Sequence, residues 1–132
     1  MLTITNQSDY GFLMIGYLRD KKKFIPLSEF VLGAKLPRRF LARISSVLVR
    51  KGIIESKEGK TGGYRLARSA AKFTLYDYLK IFEKDVAVTK CKDEKYKCPY
   101  DDFCIHKSFL RNRLNSIVVN ELKKTKLLEV FQ

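Results

Sequence analysis

Along most of the chain, apolar residues recur at the three- and four-residue spacing of a helix with one buried face, and one Gly-rich interval interrupts that pattern. Residues 7–20, QSDYGFLMIGYLRD, predict a first helix with Tyr10, Leu13, Met14, Tyr17 and Leu18 inward and Ser8 as N-cap. After the solvated loop KKK at 21–23, residues 28–34 predict a short second helix, capped by Ser28, with Glu29 in its first turn where a negative charge is favoured. Leu36 falls in a turn, and Pro37 opens a third helix, 37–51, at its first position. There Phe40, Leu41, Ile44, Val47 and Leu48 form the apolar stripe, and Arg38, Arg39, Ala42, Arg43, Ser46 and Arg50 lie mostly off it. Gly52 suits the C-cap.

The interruption is IIESKEGKTGGYRLA. Strand residues Ile53–Glu55 and Tyr64–Leu66 flank Gly59, Gly62 and Gly63, which reads as a hairpin with a basic, Gly-rich tip. Its glycines lack the spacing and the strand-to-helix setting of a phosphate-binding loop, so nucleotide binding is rejected. FTLYDYLKIFEK, 73–84, predicts a fourth helix capped by Thr74 with Asp77 three residues on. A long helix follows from 105 to about 129, its buried edge marked by Leu110, Leu114, Ile117, Val118, Leu122 and Leu128. That stripe is long for a lone helix to bury within a small domain, and it is expected to meet a second copy's helix about a two-fold axis.

Short helix, turn, basic amphipathic helix and hairpin is the order of a winged helix-turn-helix, in which the third helix enters the major groove. The expected fold is mainly α with a small β-hairpin: a winged helix-turn-helix domain plus a long C-terminal dimerisation helix. The expected division is 1–72 for the DNA-binding domain, 73–104 for a connecting helix and cysteine loop, and 105–132 for dimerisation.

Charge supports this reading. The net charge is +13, of which residues 1–70 carry +9, a field that suits a polyanion such as duplex DNA. Arginine can give two parallel hydrogen bonds to guanine or phosphate, and lysines at a hairpin tip can neutralise phosphates. The expected contact set is Ser28, Pro37, Arg38, Arg39, Arg43, Ser46, Lys57, Lys60, Thr61, Tyr64 and Arg65. At 45% hydrophobic and 31% charged residues, the composition is that of a soluble globular protein. No apolar run approaches the ~20 residues needed to cross a membrane. The start lacks the basic region and cleavage site of a signal peptide, so a cytoplasmic location is expected.

The candidate chemistry is confined to CKDEKYKCPYDDFCIH, residues 91–106, which holds all three cysteines and the only histidine. An odd number of cysteines in a reducing compartment argues against a disulfide framework. The spacing Cys91-x6-Cys98-x5-Cys104 contains neither the close pairs of a zinc finger nor the C-x-x-C of an oxidoreductase. A wide loop of thiols can wrap a bulkier object such as an iron–sulfur cluster. His106 is one candidate fourth ligand. It stands two residues after Cys104, about 200° around a helix, so it can join only where the backbone is irregular. An enzyme or electron carrier is disfavoured, because the chain has no nucleophile–base pair, no cofactor loop and no second histidine.

KGIIESKEGKTGGYRLAR, the opening LTITNQSDYGFLMIGYL, the RKG that closes the third helix and the cysteine trio after the fourth together resemble the Rrf2 family of winged-helix transcription regulators, which includes IscR- and NsrR-like members. The resemblance covers nearly the whole chain. It implies a homodimeric DNA-binding regulator whose long C-terminal helices pack together, with an iron–sulfur cluster, two-iron or four-iron, in some members. It also implies that Asp9, in QSDYGF, can supply the fourth ligand from the partner chain, as in the NsrR-like subgroup; Asp9 is preferred here to His106. Two positions depart from the family pattern. Glu58 stands where an arginine is expected in the wing, so either Lys57 and Lys60 make the contact or the wing docks differently. Ala42 replaces a larger polar residue, so the target sequence does not carry over.

The expected function is a homodimeric transcription regulator, a repressor in the first instance, sensing redox, nitric oxide or iron–sulfur status through the cysteine-held cluster. The alternative is a winged-helix regulator with a zinc or redox-thiol site and no cluster.

Overall fold

A computed structural model describes residues 1–132. Helices α1 (Asn6–Leu18), α2 (Leu27–Ala34) and α3 (Arg38–Lys51) lead into strands β1 (Ile54–Lys57) and β2 (Gly63–Leu66), then α4 (Leu75–Phe82). A loop carries the chain to a π-helical turn, Phe109–Leu114, that runs directly into α5 (Asn115–Lys124), and a 3-10 turn, Leu127–Phe131, ends it.

The start of α1 differs from the sequence expectation. The helix begins at Asn6, and Ser8 lies inside it, fully buried, with its hydroxyl donating to Glu83 Oε2 at 2.6 Å. The Thr5 amide and hydroxyl donate to the same oxygen at 2.9 and 3.1 Å. A carboxylate from the end of α4 thus takes the place of a local N-cap, where the free N–H groups and the helix dipole favour negative charge. Burial pushes the Glu83 pKa up, but the hydrogen bonds from Ser8 and Thr5 outweigh it and leave it below the ordinary value.

The inward face of α1 is also rotated from expectation. Ser8, Gly11, Met14, Ile15 and Leu18 are buried, whereas Leu13 and Tyr17 are exposed. The small residues decide this. Gly11 has no Cβ to obstruct the Tyr78 hydroxyl, which donates to the Ser8 carbonyl at 2.6 Å. The Tyr78 ring stacks on Phe12 at 4.4 Å.

Pro26 precedes α2, so Ser28 sits within the first turn rather than at the cap, and α2 ends on Lys35 in the left-handed region (φ 56°). Pro37 is the N-cap of α3 rather than its first helical residue, and Gly52 (φ 80°) is the C-cap, as expected. The capping box of α4 is also as expected: the Asp77 amide donates to Thr74 Oγ1 at 3.1 Å, and the Thr74 amide to Asp77 Oδ2 at 2.9 Å.

β1 and β2 pair antiparallel in the register Ile54↔Leu66, Glu55↔Arg65, Ser56↔Tyr64, Lys57↔Gly63. Ile25 exchanges both backbone hydrogen bonds with Tyr64, each 2.8 Å, and ties the hairpin to the segment before α2. Gly63 (φ 139°) makes that approach possible, since a Cβ there would strike the Ile25 carbonyl.

The last helix is shorter than expected. Helical backbone spans 107–124, with a π-turn inside it, and then breaks. The Thr125 hydroxyl donates to the Glu121 carbonyl at 2.9 Å, and the extended backbone pairs with residues 73–75 (Leu75 N to Thr125 O, 2.8 Å; Leu127 N to Phe73 O, 2.9 Å). The break lets Leu127 enter the core, where it is fully buried. One cluster of 15 buried hydrophobic residues runs from Met14 through Leu48 and Tyr78 to Leu127, so α4 and the C-terminal turn share the core of the winged-helix elements.

Candidate nucleic-acid interface and cysteine site

α3 buries Leu41, Ile44, Ser45 and Leu48. Phe40 and Val47, expected in the core, are only half-buried, because Ser45 takes the inner position and satisfies its hydroxyl on the Ala42 carbonyl at 3.0 Å. Opposite this face, Arg39, Arg43, Ser46 and Arg50 follow one another at intervals of four, three and four residues and are all exposed. Arg38 flanks the line, and Ser28 and Pro37 are exposed nearby in sequence. No carboxylate forms an ion pair with Arg38, Arg39, Arg43 or Arg50. Arg50 belongs to the same stripe although it was not among the expected contacts; its four-residue step from Ser46 is the signal in the sequence.

The wing divides its residues between two roles. Lys57, Glu58, Lys60 and Thr61 are exposed at or near the tip. Arg65 and Tyr64 are half-buried at its base. Arg65 donates from Nε to Glu55 at 2.8 Å, directly across the ladder, and its guanidinium lies 4.3 Å from the centre of the Phe24 ring. Its first job is to hold the hairpin together.

The cysteine loop lies elsewhere on the molecule. Cys91, Cys98 and Cys104 are free thiols, each half-buried, and all three line one cavity of about 220 Å³. His106 lines it too, as do the cations Lys90, Lys107 and Arg111 and the single acid Asp101. The backbone at 104–106 is not helical, which meets the condition for His106 to turn toward the thiols. Asp9 is exposed in the first turn of α1 and is not part of this cavity. The donors are spread around the cavity: no three His, Cys, Asp or Glu side chains come close enough together to hold a single metal ion. A set of soft sulfur donors around one open cavity, with cations outnumbering acids, fits a multi-atom anionic guest better than one ion.

Two residues here escaped the sequence reading. Arg111 Nε donates to the Cys91 carbonyl at 2.7 Å, and Asn115 is buried on the inner side of the last helix. An asparagine set directly among Leu114, Ile117 and Val118 was the available signal.

Residues 4–132 match a family model described as Rrf2, iron-dependent transcriptional regulator. The chain belongs to the Rrf2 family. It is 31% identical over 117 residues to Protein aau3 of Rhizobium meliloti, covering 87% of this chain and 76% of that protein. It is 26% identical over 114 residues to the HTH-type transcriptional regulator IscR of Xenorhabdus nematophila, covering 81% and 69%. Its fold is similar to that of CymR (YrzC), the global cysteine regulator of B. subtilis, with a TM-score of 0.73 at 20% identity over 99% of this chain and 97% of that one. Rrf2 membership makes the chain a transcriptional regulator rather than an enzyme and implies DNA as its partner. No helix is long and apolar enough to cross a membrane.

Proposed function

We propose that this Rrf2-family regulator senses redox, nitric-oxide or iron–sulfur status through an iron–sulfur cluster held by Cys91, Cys98 and Cys104. The observation that carries the reading is the convergence of all three thiols and the only imidazole on one cation-rimmed cavity. Lys90, Lys107 and Arg111 offset the charge of an anionic guest. Two fourth ligands remain in competition. His106 already shares the cavity, while Asp9 requires a second copy of the chain to bring it there. When bound, a cluster supplies a centre that reacts with oxidants and nitric oxide.

In this reading, residues 1–72 bind DNA, 73–104 carry the thiols and 105–132 pair two copies. Arg39, Arg43, Ser46 and Arg50 enter the major groove, with Arg38, Ser28 and Pro37 at its edge and Lys57, Lys60 and Thr61 on the backbone. Glu58 at the wing tip repels phosphate, so the lysines beside it make the contact.

Anaerobic purification followed by visible absorption tests the cluster. Wild type should be coloured, and each Cys→Ala variant should be colourless. Comparing His106→Ala with Asp9→Ala identifies the fourth ligand by which loss of colour follows. Iron- and sulfide-reconstituted wild type that stays colourless overturns the cluster, and bound zinc or rapid thiol oxidation then identifies the alternative sensor.

A further inference from the structure

Asn115 is a polar side chain, 4% exposed, on a helix face that otherwise packs by apolar contact. Its Oδ1 accepts from the Val88 amide at 2.7 Å. Its Nδ2 shares two hydrogens among the Leu110 carbonyl (2.8 Å), the Arg111 carbonyl (2.9 Å) and Thr89 Oγ1 (3.0 Å). The partners leave one orientation for the amide, since a backbone N–H needs the oxygen and the carbonyls need the donor. Thr89 Oγ1 also donates to the Leu110 carbonyl at 3.3 Å, and Arg111 Nε to the Cys91 carbonyl at 2.7 Å. Val88, Thr89 and Cys91 form the entry to the cysteine loop.

The carbonyls that Asn115 binds lie in the π-turn Phe109–Leu114. π-turns are rare and cluster at functional sites. Nothing in FLRNRL asks for one, because it contains neither glycine nor proline. What holds the turn open is tertiary: the side chain of residue 115 bonds carbonyls four and five positions back while gripping the separate segment at Val88 and Thr89. An extra residue in the turn rotates everything before it by about 100° relative to α5. The π-turn therefore sets which side of the helix Lys107, Leu110 and Arg111 present to the cavity.

We propose that Asn115 and Arg111 are positioning residues for the cysteine site, fixing Cys91 as the rigid wall against which Cys98 and Cys104 close. By contrast, residues 93–104 make hydrogen bonds outside their own segment only from the Asp93 amide to the Lys90 carbonyl at 3.1 Å and from the Lys107 ammonium to Asp101, so the other two thiols ride on a loop with few ties to the rest of the chain. The inference rests on the reading that the three thiols form one functional site, but its test does not require the cluster.

The test is the alkylation rate of each thiol in reduced, metal-free protein at fixed pH, followed by mass spectrometry with iodoacetamide. Freeing the entry segment should raise the Cys91 rate about tenfold in Asn115→Ala and about threefold in Arg111→Lys. Cys98 and Cys104 should stay within about twofold of wild type, because their loop does not bond to either residue. Arg111→Lys keeps the charge and removes the planar Nε donor, so it also serves if Asn115→Ala fails to fold. An unchanged Cys91 rate, or equal acceleration of all three thiols, overturns the proposal. After reconstitution with iron and sulfide, both variants should lose visible absorption faster than wild type. If wild type never colours, the cluster reading fails, and the alkylation pattern alone decides the role of Asn115 and Arg111.

Discussion

The arginine-bearing helix α3 and the cysteine loop are built in opposite ways. α3 presents its arginines from a rod whose other side is locked into the core by Leu41, Ile44 and Leu48, none more than 3% exposed. The loop exposes nearly everything: Phe103 is 91% and Ile105 98% exposed, and the three cysteines are only half-buried. A reader of DNA needs its side chains at fixed spacing, and close packing supplies that. A responsive site is drawn from the low-stability end of a structure, where few buried contacts oppose rearrangement. The segment between them carries one link across the fold, Glu83 at the end of α4, which accepts hydrogen bonds from Thr5 and Ser8 at the start of α1.

The widest separation of the two regions should appear in stability. Leu48→Ala removes a fully buried side chain and should cost about 2–5 kcal/mol in urea unfolding. Phe103→Ala should cost less than about 0.5 kcal/mol, since it removes almost no buried surface. If Phe103→Ala is as damaging as Leu48→Ala, the loop is not the loosely packed region described above.

Assembly gives the next effect. Leu114 is half-buried and Ile117 43% exposed along the outer line of the last helix, where a second copy is expected to cover them. Leu114→Glu should give monomers in sedimentation at micromolar protein, and a wild type that is itself monomeric there removes the two-fold arrangement.

DNA affinity should then split by region. Arg43→Ala should weaken a specific site by about 1–3 kcal/mol, while Lys60→Ala should weaken all sequences alike and lower the salt slope by about one. Cys91→Ala in metal-free protein should leave both quantities unchanged. Loss of DNA binding in that variant would show that the thiols serve the interface directly.

The smallest effect tests the link itself. The Glu83 carboxyl titrates below its ordinary value of 4.5 because Ser8 and Thr5 donate to it, despite the opposing effect of burial. Its contribution to stability is therefore fully present above that ordinary value and is lost as the pH falls through the lower folded value. Thermal unfolding of wild type should become less favourable to the fold through this acid window, and Glu83→Gln should flatten the dependence. Identical acid profiles would remove Glu83 as the electrostatic clasp on α1.

Several features were legible from local pattern because local chemistry determines them. The α3 stripe, the Gly52 cap, the Thr74–Asp77 capping box and the hairpin all depend on residues within one or two turns of each other. So did the concentration of thiols in one stretch, and with it the candidate site. The misreadings have a common cause. Ser8 looked like a cap and is a buried donor, since its partner Glu83 lies 75 positions away. Leu13 and Tyr17 looked like core, but Gly11 gives Tyr78 a closer approach on another face of α1. The last helix looked continuous to about 129, yet pairing of Thr125 and Leu127 with residues 73–75 ends it and buries Leu127. The sequence by itself thus determined the order of elements, the exposed basic face of α3 and the identity of the candidate ligands, because periodicity, capping and charge act over a few residues. Only the tertiary structure decided which face of α1 turns inward, that His106 shares the thiol cavity, and that Asn115 ties a π-turn to the segment leading into Cys91, because those outcomes depend on contacts between residues far apart in the chain.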